Sequence, residues 1–327
     1  MFLLNIIFLY SILLIFTTFI SKKLEFYDKP NTRKIHNTKV FNTGGVIVYL
    51  FYLSIINFFE FNYNIELIIS IGFFICLVGF IDDRINLNPS IKIVLIIIPS
   101  LYLILNDIRI EDLGNYEHIG LLSLGKFQIP FLILALGLLI NATNYIDGID
   151  GLLLTFFISC LSYYIFLIED PKTISLLKLL IFPLFFNLIL NMLPSKSKIK
   201  FFSGNIGSLF IGFFISFLTI ELYNGFSIHP AYLIWPLWYP VYDFLFVSLN
   251  RAILRKSIFS ADNSHLHHKI LIYFRQNHLK TILLFLASNV LIIYLGFLIS
   301  NYSKILSLIT FIMGFLFYFI IRFKIKS

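Results

Sequence analysis

Residues 141–151 read Asn-Ala-Thr-Asn-Tyr-Ile-Asp-Gly-Ile-Asp-Gly and place two carboxylates, Asp147 and Asp150, between two long apolar runs. An ionisable side chain at membrane depth costs roughly 2.5–3.5 kcal/mol even on lenient insertion scales, so it normally faces a polar cavity and serves a function. Three residues apart, the two acids share a face if the segment is helical. Asn141 and Asn144 extend the polar stripe backwards. Gly148 and Gly151 remove side-chain bulk, which lets a ligand or a second backbone come close. The alternative is a short Asn-Asp-Gly turn between helices. A second acidic pair, Asp82 and Asp83, closes another apolar run. Adjacent carboxylates in a low dielectric cannot both stay charged without a compensating cation or basic group. A metal ion or a shared proton is implied.

Hard carboxylate oxygens suit Mg²⁺, with Mn²⁺ as its substitute, because Mg²⁺ keeps waters and is commonly held by one or two carboxylates together with substrate phosphates. Asp82, Asp83, Asp147 and Asp150 are therefore the candidate metal ligands. His265, His267 and His268 lie in A-D-N-S-H-L-H-H at 261–268, far from any cysteine. They read as phosphate-binding donors or a general acid and base rather than as zinc ligands. Further polar clusters are D-K-P-N-T-R-K-I-H-N-T-K at 28–39 followed by Gly44 and Gly45, D-D-R-I-N-L-N-P-S-I-K at 82–92, Asn191, S-G-N-I-G-S at 203–208, and Pro240 with Asp243.

The elements that position these clusters are membrane helices. Of 327 residues, 59% are hydrophobic and 13% charged, against about 25% charged in soluble domains. The mean hydropathy is +0.90. Cys76 and Cys160 both sit in apolar runs, which excludes a disulfide framework and a Cys-rich metal site. A span needs about 20 mostly apolar residues, and the punctuation gives eleven: 2–20, 44–60, 65–81, 91–105, 127–143, 152–168, 174–192, 206–223, 231–250, 281–300 and 303–321. The first has no basic start and no small-residue cleavage site, so it reads as a retained span. The polar stretch 106–126 has room for a short re-entrant or surface element. The expected fold is all-α and polytopic, a single domain over 1–327.

Alternating the sides puts 20 of the 25 Lys and Arg residues on one face. By the positive-inside rule that face is cytoplasmic, the N-terminus is outside and the C-terminus inside. Every unusual polar cluster falls on that face. Acidic metal ligands, basic residues and histidines, within reach of both lipid and water, fit phosphoryl transfer onto a lipid. An ion-coupled transporter would place its acids near mid-span and show an internal repeat; here they lie at span ends. The net charge of +8 suits anionic lipid and anionic substrates.

The motifs D-x-P-N-x-R-K-x-H, D-D-R-x-x-L-x-P-x-x-K, N-A-x-N-x-I-D-G-I-D-G-L and D-x-x-H-L-H-H, in this order over residues 28–268, resemble the polyprenyl-phosphate N-acetylhexosamine-1-phosphate transferases of glycosyltransferase family 4. Arg33, Lys34, His36 and the H-L-H-H ending resemble the GlcNAc-1-phosphate branch that starts O-antigen, enterobacterial common antigen or teichoic acid synthesis. The CDP-alcohol phosphotransferases also use Asp-Gly motifs, but their longer pattern is absent after Asp147.

The resemblance implies transfer of a sugar-1-phosphate from a UDP-sugar to undecaprenyl phosphate with Mg²⁺, at the cytoplasmic face of a bacterial inner membrane. The lipid bilayer is a partner, a homo-oligomer is admitted, and no nucleic acid is expected. It implies catalytic roles for Asp82, Asp83, His265 and His268. It implies substrate binding by Arg33, Lys34, His36, Asn141, Asn144, Asp147, Asp150, Asn191 and His267. Where the family writes G-D-x-G-S this chain has Asn205, so a usual metal-binding carboxylate is an amide that can ligate but brings no charge. Weaker metal binding, or a catalytically weak relative, is the corresponding expectation.

Overall fold

The computed structural model describes residues 2–28, 39–194, 197, 199–255, 257 and 264–324. Arg33, Lys34 and His36 lie outside these residues. The eleven apolar runs all coincide with helices. They are α1 (Phe2–Lys23), α2 (Gly44–Phe58), α3 (Tyr63–Ile85), α4 (Pro89–Leu105), α5 (Gln128–Ile146), α6 (Leu152–Leu167), α7 (Pro171–Asn191), α8 (Gly204–Asn224), the pair α9 (Pro230–Leu233) and α10 (Trp238–Ile253), α12 (His278–Tyr302) and α13 (Lys304–Lys324). A further short helix, α11 (Leu266–Tyr273), carries the histidine motif. Seven helices among the described residues are long and apolar enough to cross a membrane, and three shorter ones (44–58, 89–105 and 152–167) are apolar. This is a multi-pass membrane protein.

Helix starts follow the local chemistry. Asn62, Asn88, Asp170 and Asn277 each accept backbone N–H groups of the first turn, and Pro89 and Pro171 open α4 and α7, where no N–H is needed. The ninth apolar run departs from the expected single span. His229 caps α9, a 3-10 turn follows at Trp235–Leu237, and α10 starts afresh at Trp238. Pro236 and Pro240, inside the run, remove N–H donors that a continuous helix would need.

Helix α8 is the axis of the bundle. Nearly every side chain from Ile206 to Leu222 is buried, and α2, α3 and α5 pack around it. Its start lies so close to α2 that a Cβ on Gly45 would come 2.1 Å from the Gly207 nitrogen. This crossing therefore requires glycine.

Two small sheets mark opposite ends of the bundle. At one end β1 (Tyr27–Asp28) pairs antiparallel with β2 (Val40–Phe41), and Phe202 N–H donates to Phe41 C=O at 2.8 Å, tying this strand to the segment that leads into α8. At the other end β3 (Asp112–Tyr116) and β4 (Gly120–Ser123) form a hairpin. It fills the polar stretch where a surface element was expected. Helices α3, α5, α7 and α10 run toward the first end, and α4, α6, α8 and α12 start there.

Candidate active site

The site is assembled where α3 and α5 finish and α4, α6 and α8 begin. Asp82, in the last turn of α3, is buried. Its Oδ2 takes a 2.8 Å ion pair from Lys92 of α4, and its Oδ1 accepts the Leu87 N–H. Lys92 also donates to Asn144 Oδ1 at 3.2 Å. Asn144 Nδ2 then reaches across to α8 and donates to Asn205 Oδ1 (2.6 Å) and Ser208 Oγ (2.7 Å). One polar chain thus runs from α4 through α3 and α5 to α8. The compensating cation expected for the Asp82–Asp83 pair is, for Asp82, Lys92.

Asp83 faces the other way, with both oxygens 3.2 Å from the Asn205 N–H at the start of α8. There the unpaired amides and helix dipole favour an anion. The Asn205 side-chain oxygen accepts from Asn144, which uses one of its two lone pairs. Asn141 is half-buried and donates to Gly137 C=O of its own helix.

Of the two readings of this segment, a helical face or a short turn, the structure has the turn. Helix α5 ends at Ile146, and 147–151 is a turn that closes at Gly151 with φ +77°. The left-handed residue is glycine because a Cβ would be strained there. The turn nevertheless serves both acids. Asp150 is held by Lys200 at 2.6 Å, with the His278 ring 3.5 Å away, and Lys200 is also anchored on Leu193 C=O. Asp147 has no hydrogen bond or ion pair to another described residue. Burial, followed by the negative charges of Asp83, Asp150 and Asp28, pushes its carboxyl well above the usual range.

Asn191, expected to touch a nucleotide, has both ends of its amide engaged. Its oxygen accepts the Gly151 N–H, and its nitrogen donates to Phe201 C=O. It fixes the turn to the loop before α8.

The histidine motif folds directly onto this turn. A Cβ on Gly148 would lie 2.8 Å from His268 Cε1 and 3.3 Å from His267 Nε2. The close approach anticipated at Gly148 is thus made by imidazoles. His265 Nδ1 meets Asp243 Oδ2 at 2.7 Å, and His267 Nδ1 meets the Tyr239 hydroxyl at 2.8 Å. The Nε2 atoms of both rings are buried without a partner among the described residues. Burial, then the neighbouring His268, lowers the His267 pKa well below its ordinary value. Tyr145 lies 5.0 Å from the His265 ring, and the Arg251 guanidinium stands 5.9 Å from the centre of the Tyr145 ring.

Sequence reasoning named Asp243 only as a polar cluster with Pro240, without a role, and did not single out Lys92 or Lys200. Each sits inside or beside a quoted motif, and the missing information is which acid or imidazole it meets.

A family model for glycosyl transferase family 4 matches residues 65–223. Over that stretch, just under half of the chain, the sequence is similar to that family. Undecaprenyl-phosphate alpha-N-acetylglucosaminyl 1-phosphate transferases are among its relatives. The protein of that name from Escherichia coli K12 is 28% identical over 81% of this chain and 74% of its own length. The one from Thermotoga maritima is 29% identical over 80% and 77%, and the one from Yersinia pestis 28% over 81% and 75%. The family match covers α3 to α8, which hold Asp82, Asp83, Asp147, Asp150 and Asn205. Asp243 and the histidine motif lie beyond it.

Proposed function

We propose that this chain transfers an N-acetylhexosamine-1-phosphate from a UDP-sugar to undecaprenyl phosphate, releasing UMP and forming a sugar-diphospho-lipid that starts a cell-surface polysaccharide. The observation that carries the reading is one juxtaposition. Asp147, an acid with no cation among the described residues, lies in the turn against which the histidine motif packs, and two imidazole Nε2 atoms of that motif are buried without a partner. A phosphate oxygen is a hydrogen-bond acceptor for protonated Nε2 positions, and it brings the charge that draws a cation to the acids. The relatives' names point to the same acceptor lipid.

The residues suit Mg²⁺ in one form only. No three His, Cys, Asp or Glu side chains converge into a ready cage among the described residues, which fits an ion held by one or two carboxylates plus phosphates. Asp83 and Asp147 are the ligands this favours, since Lys92 and Lys200 already answer Asp82 and Asp150. When bound, the ion would neutralise diphosphate charge and ease departure of UMP. The protein's own part is positioning and charge. The lipid phosphate is already a nucleophile near neutral pH, so holding it in line matters more than a strong base. Lys200 keeps Asp150 in place, Asn144 fixes the start of α8 beside Asp83, and the histidines hold phosphate oxygens.

Eleven alternating crossings bring all these groups to one face. The 20 Lys and Arg residues of that side support a cytoplasmic assignment in a bacterial inner membrane, with the whole chain acting as one unit. The test is transfer of label from UDP-[¹⁴C]GlcNAc to undecaprenyl phosphate in membranes containing folded protein. Labelled lipid that releases GlcNAc-1-phosphate on mild treatment is expected. No transfer from GlcNAc, GalNAc or other UDP-N-acetylhexosamines would falsify the reading.

A further inference from the structure

Helix α13 lies at the outer edge of the bundle, and most of its side chains face outward. Only Ser307 and Arg322 of this helix are fully buried. Burying a charged guanidinium is costly unless it is well paired, so Arg322 calls for an explanation. It is 1% exposed, stands 4.8 Å over the Phe246 ring and donates to the Ser264 carbonyl, the residue immediately before His265. One turn earlier on the same face, the Tyr318 hydroxyl donates to Asp243 Oδ1 at 2.7 Å. That oxygen also accepts the Leu266 N–H at 3.0 Å, and the other carboxylate oxygen holds His265 Nδ1. Asp243 is 2% exposed, and two of these three contacts are to the histidine motif itself.

We propose that α13 is part of the catalytic apparatus: Tyr318 and Arg322 are positioning residues that act through Asp243 and Ser264 to fix the His265 ring, with Nδ1–H on Asp243 and Nε2 toward the substrate. The carboxylate orients the ring, as a carboxylate behind an imidazole does generally, and leaves Nε2 aimed at the substrate. Tyr318 keeps that carboxylate from rotating, and Arg322 pins the chain just ahead of the ring. The inference rests on the reading that His265 Nε2 meets substrate phosphate. It extends the site to a helix that begins at Lys304, far along the chain from the family match, which ends at residue 223.

The experiment compares the full-length wild type with Tyr318→Phe, Arg322→Met, Arg322→Lys and a control, Ser307→Ala. Ser307 is buried at the other end of the same helix and is bonded to Trp235 and Ser300. Tyr318→Phe and Arg322→Met are expected to lower kcat about tenfold or more, as loss of an outer partner does, with KM for the UDP-sugar little changed. Arg322→Lys should recover part of the loss. Ser307→Ala should lower Tm without lowering kcat. A second readout is independent of turnover: ¹⁵N-histidine spectra should show His265 protonated at Nδ1 in the wild type, and loss of that signature in Tyr318→Phe. Equal kcat in wild type and Tyr318→Phe, or a kcat loss in Ser307→Ala as large as in Arg322→Met, would overturn the proposal. An inactive wild type would sink the transferase reading instead, and the histidine spectra would still decide this one.

Discussion

At the hairpin end of the bundle, Glu117 accepts the Lys304 and Ile305 N–H groups at the start of α13 together with the Ser303 hydroxyl. Asp112 takes the Tyr223 hydroxyl and the Gly114 N–H, Asp170 takes two donors from Thr173, and Glu221 takes the Asn64 amide. These acids are satisfied by neutral donors and tie one element to the next. At the opposite end the acids divide. Asp82 and Asp150 are answered by lysines, whereas among the described residues Asp147 has carboxylates as its charged neighbours. Folding alone gives no reason to keep an acid there, and active sites are where such costs are tolerated. The difference teaches how to sort the polar residues: paired ones hold the molecule together, and unpaired ones wait for a substrate.

The comparison is tested hardest at Lys92. If the Asp82–Lys92 pair is structural like the hairpin-end contacts, Lys92→Met strands a buried carboxylate. A loss of about 3–5 kcal/mol of stability is then expected, as for breaking a buried pair. The double variant Lys92→Met, Asp82→Asn should regain most of the lost Tm in detergent. Failure of the second change to restore stability would put Lys92 among the site's working charges.

Asp147 should behave oppositely. Asp147→Asn removes an acid whose ionised form the folded state disfavours, so Tm at neutral pH should stay level or rise. Activity should fall on the order of 10²–10³-fold, the scale for losing one electrostatic contributor in a reaction centre. Glu117→Gln at the far end should leave kcat near wild type and lower Tm instead. If Asp147→Asn destabilises while transfer persists, the sorting by partner is wrong.

How far the sequence could be read follows from the range over which each feature is determined. Apolar runs and caps such as Asn62, Asn88 and Asp170 are local, so the helices and their order were legible. The two prolines inside the ninth run are local signals too, but whether they divide a 20-residue apolar stretch depends on what packs around it. The acids and histidines stood out because a charged residue in an apolar chain is costly wherever it lies. Their partners did not, because Lys200 meets Asp150 across 50 residues and Asn144 meets Asn205 across 61. Those pairings are properties of the packed bundle. The same blindness explains Asn191, whose type suggested a ligand contact although both its amide ends are used inside the protein.

Asn205 gives a smaller effect and a sharper one. An aspartate at this position would face the same Asn144 donor and add a carboxylate next to Asp83, strengthening the hold on a divalent cation. For Asn205→Asp, the Mg²⁺ concentration for half-maximal transfer should fall while kcat stays within about threefold, since charge count mainly tunes metal affinity. A much larger gain in kcat would show that the natural amide has crippled the site, and would move Asn205 from the structural group to the catalytic one.

The smallest expected effect is at the hairpin end and comes from pH. Backbone N–H groups of Ile305 and Lys304 lower the Glu117 carboxyl to about 2 from an ordinary 4.5. A carboxyl depressed in the folded state adds stability above its unfolded value and loses it as pH falls through the folded one. The contact should therefore be intact at pH 6 and weaken progressively from about pH 4.5 down to about pH 2. Hydrogen exchange at the Lys304 and Ile305 amides, corrected for intrinsic rates, should accelerate over that window in the wild type but not in Glu117→Gln. Glu117 is fully exposed, so solvent screens its charge and the change should stay within the first turn of α13. If acid instead loosened α13 as far as Tyr318, the two ends would be coupled through that helix, and the division between a structural end and a working end would fail along it.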